Sequence, residues 1–230
     1  MRIDKYLANL GIGSRKEINK LIKEGGVFIN NEICKKSEEK IKFNDEISVN
    51  GEKIIYKEFI YIALNKPQNY VSSNKDEAHY KSYKELLKDC PYANLVEIVG
   101  RLDVDTTGLL LLTNNGDLIH KLIHPNKDIF KTYYVEAKNS LSELDLKSLE
   151  NGVKIDDFIT KKAYIKRLGE NKIELSISEG KFHQIKKMLI AVNNEVTKLH
   201  RKSIGKIELL DLAEGKWRYL SDNEIKIVIS

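Results

Sequence analysis

The chain has 230 residues, room for one large domain or two unequal ones, and its 41% hydrophobic and 32% charged residues mark it as globular. Thirty-nine Lys and Arg against 34 Asp and Glu leave a net charge of +5, a mild excess that permits nucleic-acid binding without requiring it. The two cysteines make neither a disulfide framework nor a zinc module, and no run nears the ~20 apolar residues of a membrane span, so a cytoplasmic protein off the membrane is expected.

Ile3, Leu7 and Leu10 share one face of a first helix, which Gly11 and Gly13 end. Ser14 and Glu17 have capping-box spacing, so a second helix starts there, with Ile18, Leu21 and Ile22 as its buried stripe and Gly25-Gly26 as its stop. Val27 and Ile29, then Ile47 and Val49 before Asn50-Gly51, alternate as strands do. Residues 1–58 thus read as two helices on a small β-hairpin structure, and the segment 52–59 marks the boundary with a larger domain, 59–230. On those helices Arg2, Lys5, Arg15, Lys16, Lys20 and Lys23 face only Asp4, Glu17 and Glu24. That excess fits a solvated helix face, or a phosphate-tracking surface with Arg15 and Lys16 at a helix start where amides also point outward.

From residue 60, runs 60–64, 96–99, 109–112, 133–137, 163–167 and 173–177 read as strands, and 118–123, 141–149 and 183–192 as helices. Residues 161–178, split by Gly169-Glu-Asn171, suggest a hairpin. The mixture predicts an α+β fold: a mostly antiparallel mixed sheet, flanked by helices, with a central cleft. No dinucleotide or Walker-type glycine motif occurs, so no nucleotide cofactor is expected. His120 and His124 have metal-binding spacing, but no third ligand or zincin glutamate accompanies them; packing and capping before Pro125 is the expected role, and no metal site is predicted.

The stretch Gly100-Arg-Leu-Asp-Val-Asp-Thr-Thr-Gly-Leu109 sets Asp103 and Asp105 in a polar turn between two apolar strands. A rigidly held acidic loop suits a catalytic carboxylate, an ordinary Asp/Thr/Gly turn, or the paired acids of glycoside hydrolysis. Between 181 and 206, Lys181, Lys186, Lys187, Lys198, Arg201, Lys202 and Lys206 are opposed only by Glu195. Ile185, Leu189 and Val192 turn the helix over 183–192 to the core and leave cations outward. Lys187 and Arg201 therefore join Arg2, Lys5, Arg15 and Lys16 as candidate phosphate contacts.

Met1-Arg-Ile-Asp-Lys-Tyr-Leu7, Gly13-Ser-Arg15, Leu21-Ile22, Gly25-Gly-Val-Phe-Ile-Asn30 and Asp45-Glu-Ile47 together resemble the S-four RNA-binding domain, which implies structured RNA as partner. Asn31 and Asn44 stand where that family usually has glycine. The acidic loop resembles that of pseudouridine synthases when taken with Lys66-Pro67, His124-Pro125, Lys131-Thr-Tyr-Tyr-Val135 and Glu179-Gly-Lys-Phe-His-Gln-Ile-Lys-Lys-Met188. The combination is similar to the RsuA-type group. Leu64-Asn-Lys-Pro-Gln-Asn-Tyr-Val-Ser72 and Lys198-Leu-His-Arg-Lys-Ser-Ile-Gly205 come nearest its small-subunit branch.

The resemblance implies isomerisation of one 16S ribosomal RNA uridine to pseudouridine, on naked RNA or a subunit assembly intermediate. It implies no metal, no redox cofactor and a monomer. It also implies roles: Asp103 carries the chemistry, Lys186 pairs with it in place of the more frequent arginine, and Tyr133 stacks on the uracil. Arg101 helps hold the flipped nucleotide, and Leu199 packs beneath the base. Strand alternation sends Tyr134 to the other face. Large-subunit modification and a non-catalytic RNA-binding assembly factor are the rival expectations.

Overall fold

A computed structural model describes residues 1–42, 45–54, 57–124 and 127–229. Contacts divide it into two compact units, Met1–Ile60 with Leu87–Val96, and Tyr61–Leu86 with Glu97–Ser230.

In the first unit, α1 (Ile3–Asn9) and α2 (Arg15–Lys23) form where the apolar spacing places them. The Ser14 hydroxyl accepts from the Glu17 amide at 3.3 Å while the Ser14 amide donates to the Glu17 carboxylate at 2.7 Å, which closes the capping box. Strands β1 (Val27–Ile29), β2 (Glu32–Ile33), β3 (Ile47–Val49) and β4 (Glu52–Ile54) pair antiparallel in the order β2-β1-β3-β4. Asn30 and Asn31 turn β1 into β2 with φ of 53° and 65°. Asn50 and Gly51 turn β3 into β4 with φ of 51° and 85°, the left-handed pairs of a type I′ hairpin. Asn31 thus adopts the conformation in which glycine is usual; Asn44 lies outside the described residues, as do Ile55 and Tyr56 of the boundary segment. Ile3, Leu7, Ile18, Ile22, Val27, Ile47 and Val49 are buried, whereas Leu10 and Leu21 are half-buried.

The second unit opens with β5 (Tyr61–Lys66), β6 (Tyr70–Val71), β7 (Lys81–Ser82), β8 (Glu97–Val99) and β9 (Thr107–Thr113). After α3 (Gly116–Ile123) come β10 (Lys131–Ala137), α4 (Glu143–Asn151), β11 (Lys154–Ile155) and β12 (Phe158–Ile159). The hairpin of β13 (Tyr164–Arg167) and β14 (Lys172–Ile177) leads to α5 (Gln184–Ala191) and β15 (Val196–Ile204). The last elements are β16 (Ile207–Glu208), β17 (Trp217–Tyr219) and α6 (Asp222–Ile229).

One nine-stranded sheet orders the unit as β13-β14-β10-β15-β9-β5-β17, with β16 on β15 and β8 on β9. Only the β15–β9 pairing in it is parallel, so the α+β, mostly antiparallel expectation holds. Every residue of β5 and β9 is buried, as befits strands covered on both faces. Leu109 and Leu111 of β9 join Leu118 and Leu122 of α3 and Val228 of α6 in one apolar cluster.

β15 is the element that alternation alone conceals. Its inward positions include an arginine and its outward ones a histidine. A bulge also breaks the period: Tyr133 pairs Arg201 while Thr132 pairs Ser203, which leaves Lys202 as the extra residue. Arg201 and Ile204, three apart, are therefore both buried.

Candidate active site

Residues 100–106 link β8 to β9 and carry Asp103. The Thr106 amide donates to the Asp103 carbonyl at 3.1 Å, which tightens the loop into a turn. The segment after β5 splints it. Ser72 Oγ accepts from the Leu102 amide at 3.0 Å and donates to the Leu102 carbonyl at 2.8 Å, and the Asn69 amide reaches the Val104 carbonyl at 2.9 Å. A loop fixed at three successive points holds its carboxylate in one orientation, which is what catalysis asks of a loop residue.

Lys66 begins that splint and is fully buried. Its ammonium donates to the carbonyls of Pro67 at 2.9 Å and Tyr70 at 2.8 Å. Burial pushes its pKa down to about 8, against the pull of Asp105 and Asp103, which favour the charged form.

Lys186 reaches the loop from the first turn of α5. Its Nζ lies 2.9 Å from Asp103 Oδ2, and 2.7 and 2.9 Å from the two oxygens of Asp105. Burial alone would lower its pKa, but the bonds to Asp105 and Asp103 outweigh that and raise it above the ordinary lysine value. Asp105 answers in kind: burial pushes it up, and the Lys186 ammonium more than reverses this and holds it low. One lysine thus bridges both carboxylates, an arrangement unlike the two spaced acids of glycoside hydrolysis.

Asp103, 31% exposed, opens onto a cavity of about 380 Å³, within the usual range for small-molecule sites. Arg101, Tyr133, Lys186 and Leu199 line the same cavity. Tyr133 and Leu199 are buried in its wall, whereas Arg101 is exposed. Tyr134 faces the other side of the sheet, where its hydroxyl donates to Glu136 at 3.1 Å. The structure therefore brings together all five residues expected at the reacting base.

The expected RNA-phosphate contacts divide. Lys5, Arg15 and Lys16 are exposed. The half-exposed Arg2 is bound through Nε and Nη2 to the buried Asp4, at 3.1 and 2.9 Å. Arg201 is corrected outright. It is 3% exposed and donates from Nε to the Leu109 carbonyl at 2.7 Å, because alternation along β15 from the buried Leu199 turns it inward to the cavity wall. Its buried Nη2 has no partner among the described residues. Lys187 is corrected in part: its ammonium pairs with Asp156, a carboxylate that counting charges over 181–206 cannot register. Lys202 likewise meets Glu174. In α5, Met188 is buried where Val192 was expected, and Val192 is half-buried.

His183, Lys66 and Asp105 were absent from the expected site. His183 lines the cavity with Nε2 3.6 Å from Asp103 Oδ2, and its sequence signal is its place in the Glu179–Met188 segment that also carries Lys186. The rings of His120 and His124 lie 4.9 Å apart, and no metal-binding cluster occurs among the described residues; Pro125 is outside them. No helix among the described residues is long and apolar enough to cross a membrane.

Comparison with known proteins identifies the family. The RNA pseudouridylate synthase family matches residues 60–191, and the S4 domain family matches residues 1–47. The chain is 39% identical to the ribosomal small subunit pseudouridine synthase A of Pasteurella multocida, over 98% of each chain. It is 36% identical to the ribosomal large subunit pseudouridine synthase B of Bacillus subtilis, over 98% of this chain and 94% of that one. A crystal structure of a pseudouridylate synthase matches with a TM-score of 0.70 at 36% identity, covering 99% of both chains.

Proposed function

The chain belongs to the RNA pseudouridylate synthase family, and we propose that it isomerises one uridine of small-subunit ribosomal RNA with Asp103 as its catalytic group. The observation that carries this reading is the Asp103–Lys186 contact of 2.9 Å at a cavity whose walls include Tyr133 and Leu199.

The reaction breaks the bond from ribose C1′ to uracil N1, turns the base, and joins C1′ to C5. The proton on C5 leaves and N1 takes one up, so atoms and electrons balance with no outside reagent. Asp103 supplies the carboxylate, as nucleophile toward sugar or base or as base toward a sugar proton. Lys186 offsets its charge and fixes its direction; with one ammonium rather than a guanidinium fork, the splint from residues 66–72 completes the positioning. Tyr133 stacks on the uracil with its phenol toward the C5 proton, and Leu199 supports the base from below. Arg101 at the rim holds the everted nucleotide by its phosphate, and the buried Arg201 adds positive charge to the wall.

Arg15 and Lys16, at the start of α2, with Lys5 and the partly engaged Arg2, anchor folded RNA through phosphates. The small-subunit assignment rests on Leu64–Ser72 and Lys198–Gly205. The Bacillus subtilis relative keeps a large-subunit target as the second reading. The protein acts as a cytoplasmic monomer, on naked RNA or an assembly intermediate.

The test is tritium release from C5-labelled uridine in small-subunit RNA, assembly particles and large-subunit RNA, with chelator present. Release from the small-subunit substrates is expected. Asp103→Asn should abolish it while RNA binding by filter retention persists, and release that survives in this variant refutes the role of Asp103.

A further inference from the structure

On the reading that this site isomerises a uridine in RNA, we propose that Phe182 and His183 form a stacking platform for the base adjacent to the target nucleotide. Phe182 is 74% exposed, which in isolation means little for a surface aromatic. Its surroundings give the exposure meaning. The Phe182 ring lies nearly parallel to the His183 imidazole, with centroids 3.8 Å apart and an interplanar angle of 19°. His183 lines the cavity and sets its Nε2 3.6 Å from Asp103 Oδ2. The Lys187 ammonium stands over the Phe182 ring, 5.5 Å from its centroid, and Asp156 holds it there.

Two short steps thus run from the carboxylate, through an imidazole, to an aromatic ring in solvent. A nucleotide everted into the cavity leaves its neighbour without a stacking partner on that side. The exposed Phe182 ring beside the cavity offers such a surface, and a base that stacks on it displaces the Lys187 ammonium from the ring face.

His183 has φ of 52°, a left-handed conformation uncommon for a residue with a side chain, and it makes no side-chain cap bond to α5. Glycine or asparagine would meet the needs of the turn at lower conformational cost, so the turn alone does not account for a histidine. Phe182 likewise contributes almost nothing to the core. Because every base has a π-face, the platform accepts any neighbour and favours the larger purines.

The probe is an RNA pentamer with one uridine among abasic ribose-phosphate units, compared with the same pentamer carrying an adenine directly 5′ or 3′ of the uridine. In anisotropy competition, one of the two adenines should raise wild-type affinity about 5- to 150-fold, the span of base–aromatic stacking. Phe182→Ala should lose that gain and Phe182→Trp should keep it, with melting temperatures unchanged. An equal gain in Phe182→Ala, or no gain in the wild type, overturns the platform. The isomerase reading fails separately, through absence of tritium release from ribosomal RNA by the wild type.

Discussion

Charged side chains packed around Asp103 set the electrostatics of the site, and the fully buried Lys66 makes the sharpest prediction. Lys66 has a folded pKa of about 8 against an ordinary 10.5. Below pH 8 the folded and unfolded chains both hold the proton, and the cost of burying the charge is felt in full. Between about 8 and 10.5 the folded chain releases the proton while the unfolded chain keeps it, so stability rises with pH, by at most ~3 kcal/mol. Urea unfolding of the wild type and Lys66→Met at fixed ionic strength should show the difference between them climbing across that window. A constant difference would mean that Lys66 does not titrate there. The sequence motifs located Asp103, Lys186, Tyr133, Arg101 and Leu199, because these residues sit in short segments whose order is distinctive. They could not locate Lys66 as a buried charge or Arg201 as an inward one, because burial of a long cation depends on which carbonyls the fold brings to it.

At the scale of elements, the Thr-Thr-Gly of the acidic loop finds its reason in the parallel pairing of β9 with β15. Gly108 has φ of 103°, and a Cβ there would lie 2.3 Å from the Arg201 carbonyl oxygen and 2.6 Å from its nitrogen. Neither neighbour is a flexible side-chain end, so backbone must move. Gly108→Ala should therefore cost about 3 kcal/mol or more in denaturant unfolding and displace Arg201 from the cavity wall. A loss below about 0.5 kcal/mol would show that the two strands can part without penalty. The same pairing marks where reading periodicity fails. The capping box at Ser14, the Asn50-Gly51 hairpin and the β13–β14 hairpin each declare themselves within one short local segment. β15 is specified instead by partners on β9 and β10, and its bulge and charged inward residue erase the alternation that would announce it.

For the whole molecule, charge decides how it meets RNA. The net charge of +5 is modest, and folding pairs two of the cations that sequence counting assigns to phosphates, Lys187 with Asp156 and Arg2 with Asp4. The exposed Arg15 and Lys16 have no such carboxylate among the described ion pairs, so they should carry a measurable share of the phosphate binding. Replacing both by Ala should flatten the log–log dependence of RNA affinity on salt by about 2, roughly one for each phosphate no longer neutralised, and spare tritium release at saturating RNA. An unchanged slope would place the RNA elsewhere on the surface.

The position of β15 also has a consequence in time. It lies between β10 and β9, although it follows both in the chain by more than fifty residues. During vectorial synthesis those two strands emerge first and wait with open edges for the segment that will separate them. Leu199 and Arg201 arrive with that segment, so the wall of the cavity is complete only once β15 has docked between its neighbours.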